Sequence, residues 1–246
     1  AESHYLNEVT FAKGLREIGK ESFYCCFGLN SVDIPEGVTS VADKAFAWCG
    51  AYKSFGSSYS CYNFRKVTLP STLSTIGASA FSNCQVLQSI NIPEGITEIQ
   101  DNTFECCYEL SGIIIPKGIK KIGNNAFSQN RSLKTITFSW NAPQIDSKAF
   151  GDGRNFPGHT TSTCYYPSNN SVWTSSMLQN YGGKLTWVAK EMVKPSGGAE
   201  SDTGNNNGSN NNGSDNNGSN NNESNNNGSD NNGSNNNGSN NNESNN

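Results

Sequence analysis

Eight cysteines and two histidines are the residues best suited to chemistry in this chain of 246 residues. A thiolate can ligate zinc, form a disulfide or attack a carbonyl, and each use demands a pattern. Structural zinc asks for two matched close pairs. No Cys-x₂-Cys is matched by a second one, and the adjacent pairs Cys25-Cys26 and Cys106-Cys107 point opposite ways. Cys164 with His159 would make a nucleophile and a base five residues apart, but no third group orients the base. His4 and His159 stand outside any G-x-S-x-G or H-E-x-x-H pattern. No Gly-rich phosphate loop precedes a helix, and the acids are scattered singly. These residues predict no catalytic centre, no metal and no cofactor.

What must position the remaining residues is a repeat. Phe23, Phe46, Phe81, Phe104, Phe127 and Phe150 follow one another at steps of 23, 35, 23, 23 and 23. Val9, Val32, Val67, Ile90, Ile113 and Ile136 share those steps, as do Ile18, Val41, Ile76, Ile99, Ile122 and Ile145. The long step is one period plus a 12-residue insertion, placed at about 50–63. Within a unit, Ile90-Asn91-Ile92 alternates as a strand does and Pro93 ends it. A second short strand carries Ile96 and Ile99, and 102–107 turns back as a short helical or 3₁₀ turn with Phe104 inward. One unit cannot bury its apolar face alone, so units must stack, with rungs roughly 4.8 Å apart.

Composition divides the chain. Only 33% is apolar, and from Gly204 onward it is nearly all Asn, Gly and Ser with a few acids. All 17 Lys and Arg precede residue 196, while Glu200, Asp202, Asp215, Glu223, Asp230 and Glu243 follow it. The body is near neutral and lacks the clustered Lys and Arg of a nucleic-acid binder. No apolar run reaches the ~18 residues that span a bilayer. The expected domains are repeats over 1–150, a C-terminal cap over 151–195 and a disordered linker over 196–246. In the cap, TSTCYYP, NNSVW, TSSMLQNYGG and KLTWVAK read as strand, turn, short helix and strand. Trp173, Tyr181 and Trp187 would cover the last rung; a carbohydrate-binding use is the alternative. The chain starts at Ala1 with a repeat under way by Leu6, as a processed or excised piece would.

The pattern I-P-x-x-I-x-x-I-x-x-x-A-F-x-x-C at a 23-residue step resembles the BspA-like, Treponema pallidum-type leucine-rich repeat family, over about residues 6–150. The resemblance implies a right-handed β/α solenoid, mainly β with short helical turns. It implies a secreted or cell-surface protein that adheres to a host or microbial surface protein, extracellular matrix included, as a monomer. Ala12, where Pro is usual, and Ala142-Pro143 mark the first and last units as atypical caps. In the family the column holding Cys26, Cys84 and Cys107, with Cys49 or Cys61, faces inward. Cys25 and Cys106 sit three rungs apart, about 14 Å, too far to bridge. Cys49 and Cys61 flank the insertion, and a bridge closing that loop is the disulfide expected.

Binding residues are therefore sought on the surface. Between the apolar positions of the strands, the outward row is Thr10, Asp33, Thr68, Asn91, Ile114 and Thr137, with Ile114 its one apolar member. Solenoids bind through such concave sheets; a merely solvated Thr-rich β face is the alternative. The insertion carries Tyr52, Phe55, Tyr59 and Tyr62 among Gly and Ser, a composition of adaptable recognition loops. Its aromatics could equally fold back on the solenoid flank. Targeting a separate catalytic domain, or acting as a bare spacer, are the competing functions.

Overall fold

Alternation writes the first strand of each repeat, and the computed structural model, which describes residues 3, 6–50, 63–151 and 160–195, places those strands side by side. They are β2 (Ser31–Asp33), β4 (Lys66–Thr68), β6 (Ser89–Ile90), β8 (Gly112–Ile115) and β10 (Thr135–Phe138). The second strands are β1 (Glu17–Ile18), β3 (Ser40–Val41), β5 (Thr75–Ile76), β7 (Glu98–Ile99), β9 (Lys121–Ile122) and β11 (Gln144–Ile145). Every pairing is parallel, and each joins residues of the same repeat position, such as Val32 with Val67 and Ile113 with Ile136. The result is a parallel β-solenoid. Hydrogen-bonded pairing lapses between β6 and β8 and between β5 and β7, so each row is written as two sheets.

The turn column bridges that lapse. Around Phe23, the amides of Ser22, Tyr24 and Cys26 bond three residues back, to Gly19, Glu21 and Phe23. The amides of Glu21, Phe23 and Cys25 instead cross to Asp43, Ala45 and Ala47 of the next coil. The same alternation recurs across the lapse, where Ser79, Phe81 and Asn83 donate to Asp101, Thr103 and Glu105 at 2.7–3.0 Å. The expected helical turns are thus chains of β-turns. Left-handed residues lie two before and two after Phe23, Phe46, Phe81, Phe104 and Phe127, at Glu21 and Cys25, Lys44 and Trp48, Ser79 and Asn83, Asn102 and Cys106, Asn125 and Gln129. A right-handed helix cannot run through such residues. Among the described residues the one helical segment is a 3₁₀ turn, Ser175–Met177.

Inside, the phenylalanines form a continuous stack. Successive ring centroids from Phe23 to Phe150 lie 5.0, 5.5, 5.8, 5.5 and 5.5 Å apart, with planes within 15°. The widest step, Phe81 to Phe104, coincides with the lapse in strand pairing. The step across the insertion, Phe46 to Phe81, is an ordinary 5.5 Å. Twelve extra residues therefore leave the register intact. Phe46 through Phe150 are wholly buried in this column. Each contributes about 1.5–3 kcal/mol by burial.

Both ends depart from the repeat. Residues 6–12 form no strand, and Asn30 N donates to Asn7 O at 3.3 Å. At the other end β12 (Thr161–Pro167) and β13 (Lys184–Lys190) add two seven-residue strands to the row of β8 and β10. Beneath them Trp173 and Trp187 pack on Phe138 at 4.9 and 5.6 Å. Their indole N–H groups are satisfied by the carbonyls of Trp140 and Gln179. These aromatics are spent on covering the last coil. A second unit, Ala199–Asn246, lies outside the described residues, as does the linker expected over 196–246.

Candidate binding face

Register converts separate strands into one outward row. Asp33 lies beside Thr68, Ile114 beside Thr137, Thr137 beside Tyr165, and Tyr165 beside Val188. Asn91 joins Thr68 through the pairing of Val67 with Ile90. Five of the six expected residues therefore share this face. Thr10 is exposed in the strandless segment ahead of β1, where no strand pairing fixes its place in the row. Tyr165 and Val188, which sequence reading missed, prolong the row into the cap. A signal was available, since 23 residues separate Tyr165 from Val188.

The row's two halves differ in chemistry. In the first, the Asn91 amide donates to Leu69 O and accepts from Leu69 N, both at 2.9 Å. It thereby stands in for the strand pairing that β6 is too short to supply, and its side chain is committed to the fold. In the second half Ile114 is 64% exposed and Val188 37%. Tyr165 sits between them, with Lys190 Nζ 5.8 Å from its ring centroid. Thr135, Thr163 and Thr186 run alongside in register. Next to Thr135 lies Gly112, where a Cβ would come within 2.7 Å of Thr135 Oγ1. The result is a smooth, Thr-lined apolar strip over β8, β10, β12 and β13.

Cysteine takes no part in this face. Cys49, Cys84 and Cys107 are buried, and each thiol donates to the carbonyl of an earlier Phe: Phe23, Phe46 and Phe81, at 3.1–3.3 Å. Thr160 ends the ladder, donating to Phe127 O at 2.6 Å. Burial pushes the Cys49 and Cys84 thiols well above the usual range, and raises Cys26, Cys106 and Cys107 as well. Cys164 lies beneath β12 with its pKa pushed up to about 12 by burial. That is the wrong direction for a nucleophile. His159, its candidate base, lies outside the described residues, as do His4, Cys61, Tyr52, Phe55, Tyr59 and Tyr62. Among the described residues Cys49 is a thiol, and no three His, Cys, Asp or Glu converge as metal ligands. No helix there is long and apolar enough to cross a membrane.

The model of the BspA type leucine rich repeat region matches residues 1–59 and 52–178, in six copies. Among solved structures, a leucine-rich repeat protein from Bacteroides ovatus is similar at 16% identity and a TM-score of 0.44. That match covers 76% of this chain and 56% of the other. The leucine rich repeat protein of T. pallidum is 28% identical with a TM-score of 0.42, over 55% of this chain and 57% of that one. A leucine rich cell surface protein from Faecalibacterium prausnitzii is 20% identical with a TM-score of 0.38, over 62% and 64%. The chain thus spans little more than half the length of the first two. No curated protein matches.

Proposed function

The chain belongs to the BspA-type leucine-rich repeat family, and from that premise we propose that it is a non-catalytic extracellular binding module. It recognises a protein, a glycan being the weaker alternative, on a surface outside the cell that makes it. The supporting observation is the outward strip of Ile114, Thr137, Tyr165 and Val188, held by four paired strands. An exposed Ile at 64% amid paired strands gains nothing for folding. It suits an anchor that becomes buried in a complex. Backbone pairing holds the strip rigid, so binding costs little ordering entropy. The Tyr-rich insertion, with Tyr52, Phe55, Tyr59 and Tyr62, is read from its composition as a source of further adaptable contacts. The Asn/Gly/Ser tail acts as a flexible tether. The cell-surface description of the Faecalibacterium relative agrees with this placement. A second reading, a targeting module or spacer for a larger surface enzyme, rests on the chain spanning little more than half of its relatives.

The test is a binding screen of immobilised fibronectin, fibrinogen and mucin. Ile114→Asp and Val188→Asp each weaken a detected interaction at least tenfold while the melting temperature stays within a few degrees. Tyr52→Ala/Tyr59→Ala weakens it further. Unchanged binding in Ile114→Asp and Val188→Asp rejects the strip as the site.

A further inference from the structure

The strip ends on an open sheet edge. Among the described residues β13 is the last strand of its sheet, with β12 as its partner. Lys184 N donates to Thr160 O, and Lys190 O accepts from Ser168 N, both on the β12 side at 2.9 Å. Alternation therefore turns the N–H and C=O groups of Leu185, Trp187 and Ala189 to the open side. Asn180 Oδ1 takes the Leu185 N–H at 3.1 Å. Trp187 and Ala189 have no backbone partner there among the described residues. The following chain does not fold over this edge at once, because Met192 exchanges bonds with the Asn169 side chain after β12. Leu185 and Trp187 pack on the core yet stay partly exposed, as inner residues do where a further rung is missing.

Charge selects the occupant. Lys184 and Lys190 bracket the edge on its outer face, six residues or roughly 20 Å apart. Between Thr160 and Lys190 there is no Asp or Glu, and Glu191 follows only where the strand has ended. A second copy pairing antiparallel about Trp187 would set Lys184 against Lys190, like charges face to face. The chain's own tail carries acids but, beyond Ala199, no apolar residue to cover Leu185 and Trp187. We propose that β13 accepts an extended strand of a partner protein with carboxylates at both ends and apolar residues at alternate positions between. The strand pairs with Trp187 and Ala189, continues the sheet by one rung and sets its carboxylates beside Lys184 and Lys190. The lysines that discourage edge-to-edge aggregation thus also choose the partner. This goes beyond the face reading, since it uses the edge's backbone groups.

The probe is a capped seven-residue peptide with Glu at both ends and alternating Val and Thr between, set against its Lys-ended counterpart. With the full chain, NMR titration should show the Glu-ended peptide binding at least tenfold tighter. It should slow amide exchange at Trp187 and Ala189. Lys184→Glu/Lys190→Glu should reverse the preference, and Ile114→Asp should leave it unchanged. Equal affinity for the two peptides, or binding without protection at Trp187 and Ala189, overturns the proposal. Loss of binding in Ile114→Asp alone would place the peptide on the face instead, and also overturns it.

Discussion

Asn130 occupies the place that Cys26, Cys49, Cys84 and Cys107 hold in earlier coils, three residues after a stacked Phe. It is wholly buried, and among the described residues neither its Oδ1 nor its Nδ2 has a hydrogen-bond partner. A buried amide without partners costs about 1–3 kcal/mol. Asn130→Cys should therefore raise unfolding stability by about 1–2 kcal/mol in a urea titration; lower stability would contradict the ladder assignment. The thiols themselves make the fold sensitive to alkali. Burial raises their folded pKa, so above about pH 8.5–9 the unfolded chain loses protons first. Stability is complete below that range and falls as pH rises toward the folded values, about 12 for Cys164. Ionisation of Cys164 should cost about 1 kcal/mol between pH 9 and 10, and the other raised thiols add to that loss. Urea titrations from pH 7 to 10 check this, and a flat profile contradicts it. Mass mapping of Cys49 and Cys61 decides the loop disulfide.

At the scale of elements, the turn owes its form to alternate amides crossing between coils, and this demands two left-handed residues per coil. Asn fills several of these positions, but Cys25, Trp48, Cys106 and Gln129 fill others. No glycine marked them, which is why a helical turn was the natural reading of the sequence. Gln129 is exposed at φ 60, so its side chain has no packing to lose. Gln129→Val should destabilise by about 1–2 kcal/mol, since a β-branched residue resists that conformation. Gln129→Gly should stay close to wild type. Equal melting of the two variants would show that the backbone there is not left-handed. In the stack, Phe104→Ala should cost about 3–5 kcal/mol, as large core truncations do.

The whole molecule was legible wherever the 23-residue period ran. Three columns of Phe, Ile and Val located the core, the strands and most of the outward row before any coordinates. The cap was harder, because 28 residues separate Thr137 from Tyr165 and break the step. Asn91 was opaque for another reason: nothing in an exposed strand Asn reveals that its amide replaces missing strand pairing. The insertion's four aromatics lie outside the described residues, so their part in binding rests on composition alone.

A single face exists only if coils on the two sides of the insertion share a register. Pulsed electron-paramagnetic resonance between spin labels at Asp33→Cys and Thr137→Cys, in a chain that also carries Cys61→Ser, measures it directly. Four rungs separate these positions, and the account predicts one narrow distance near roughly 20 Å. A broad distribution, or a peak beyond about 30 Å, would mean that the stack of rungs is interrupted at the insertion and that no common face exists.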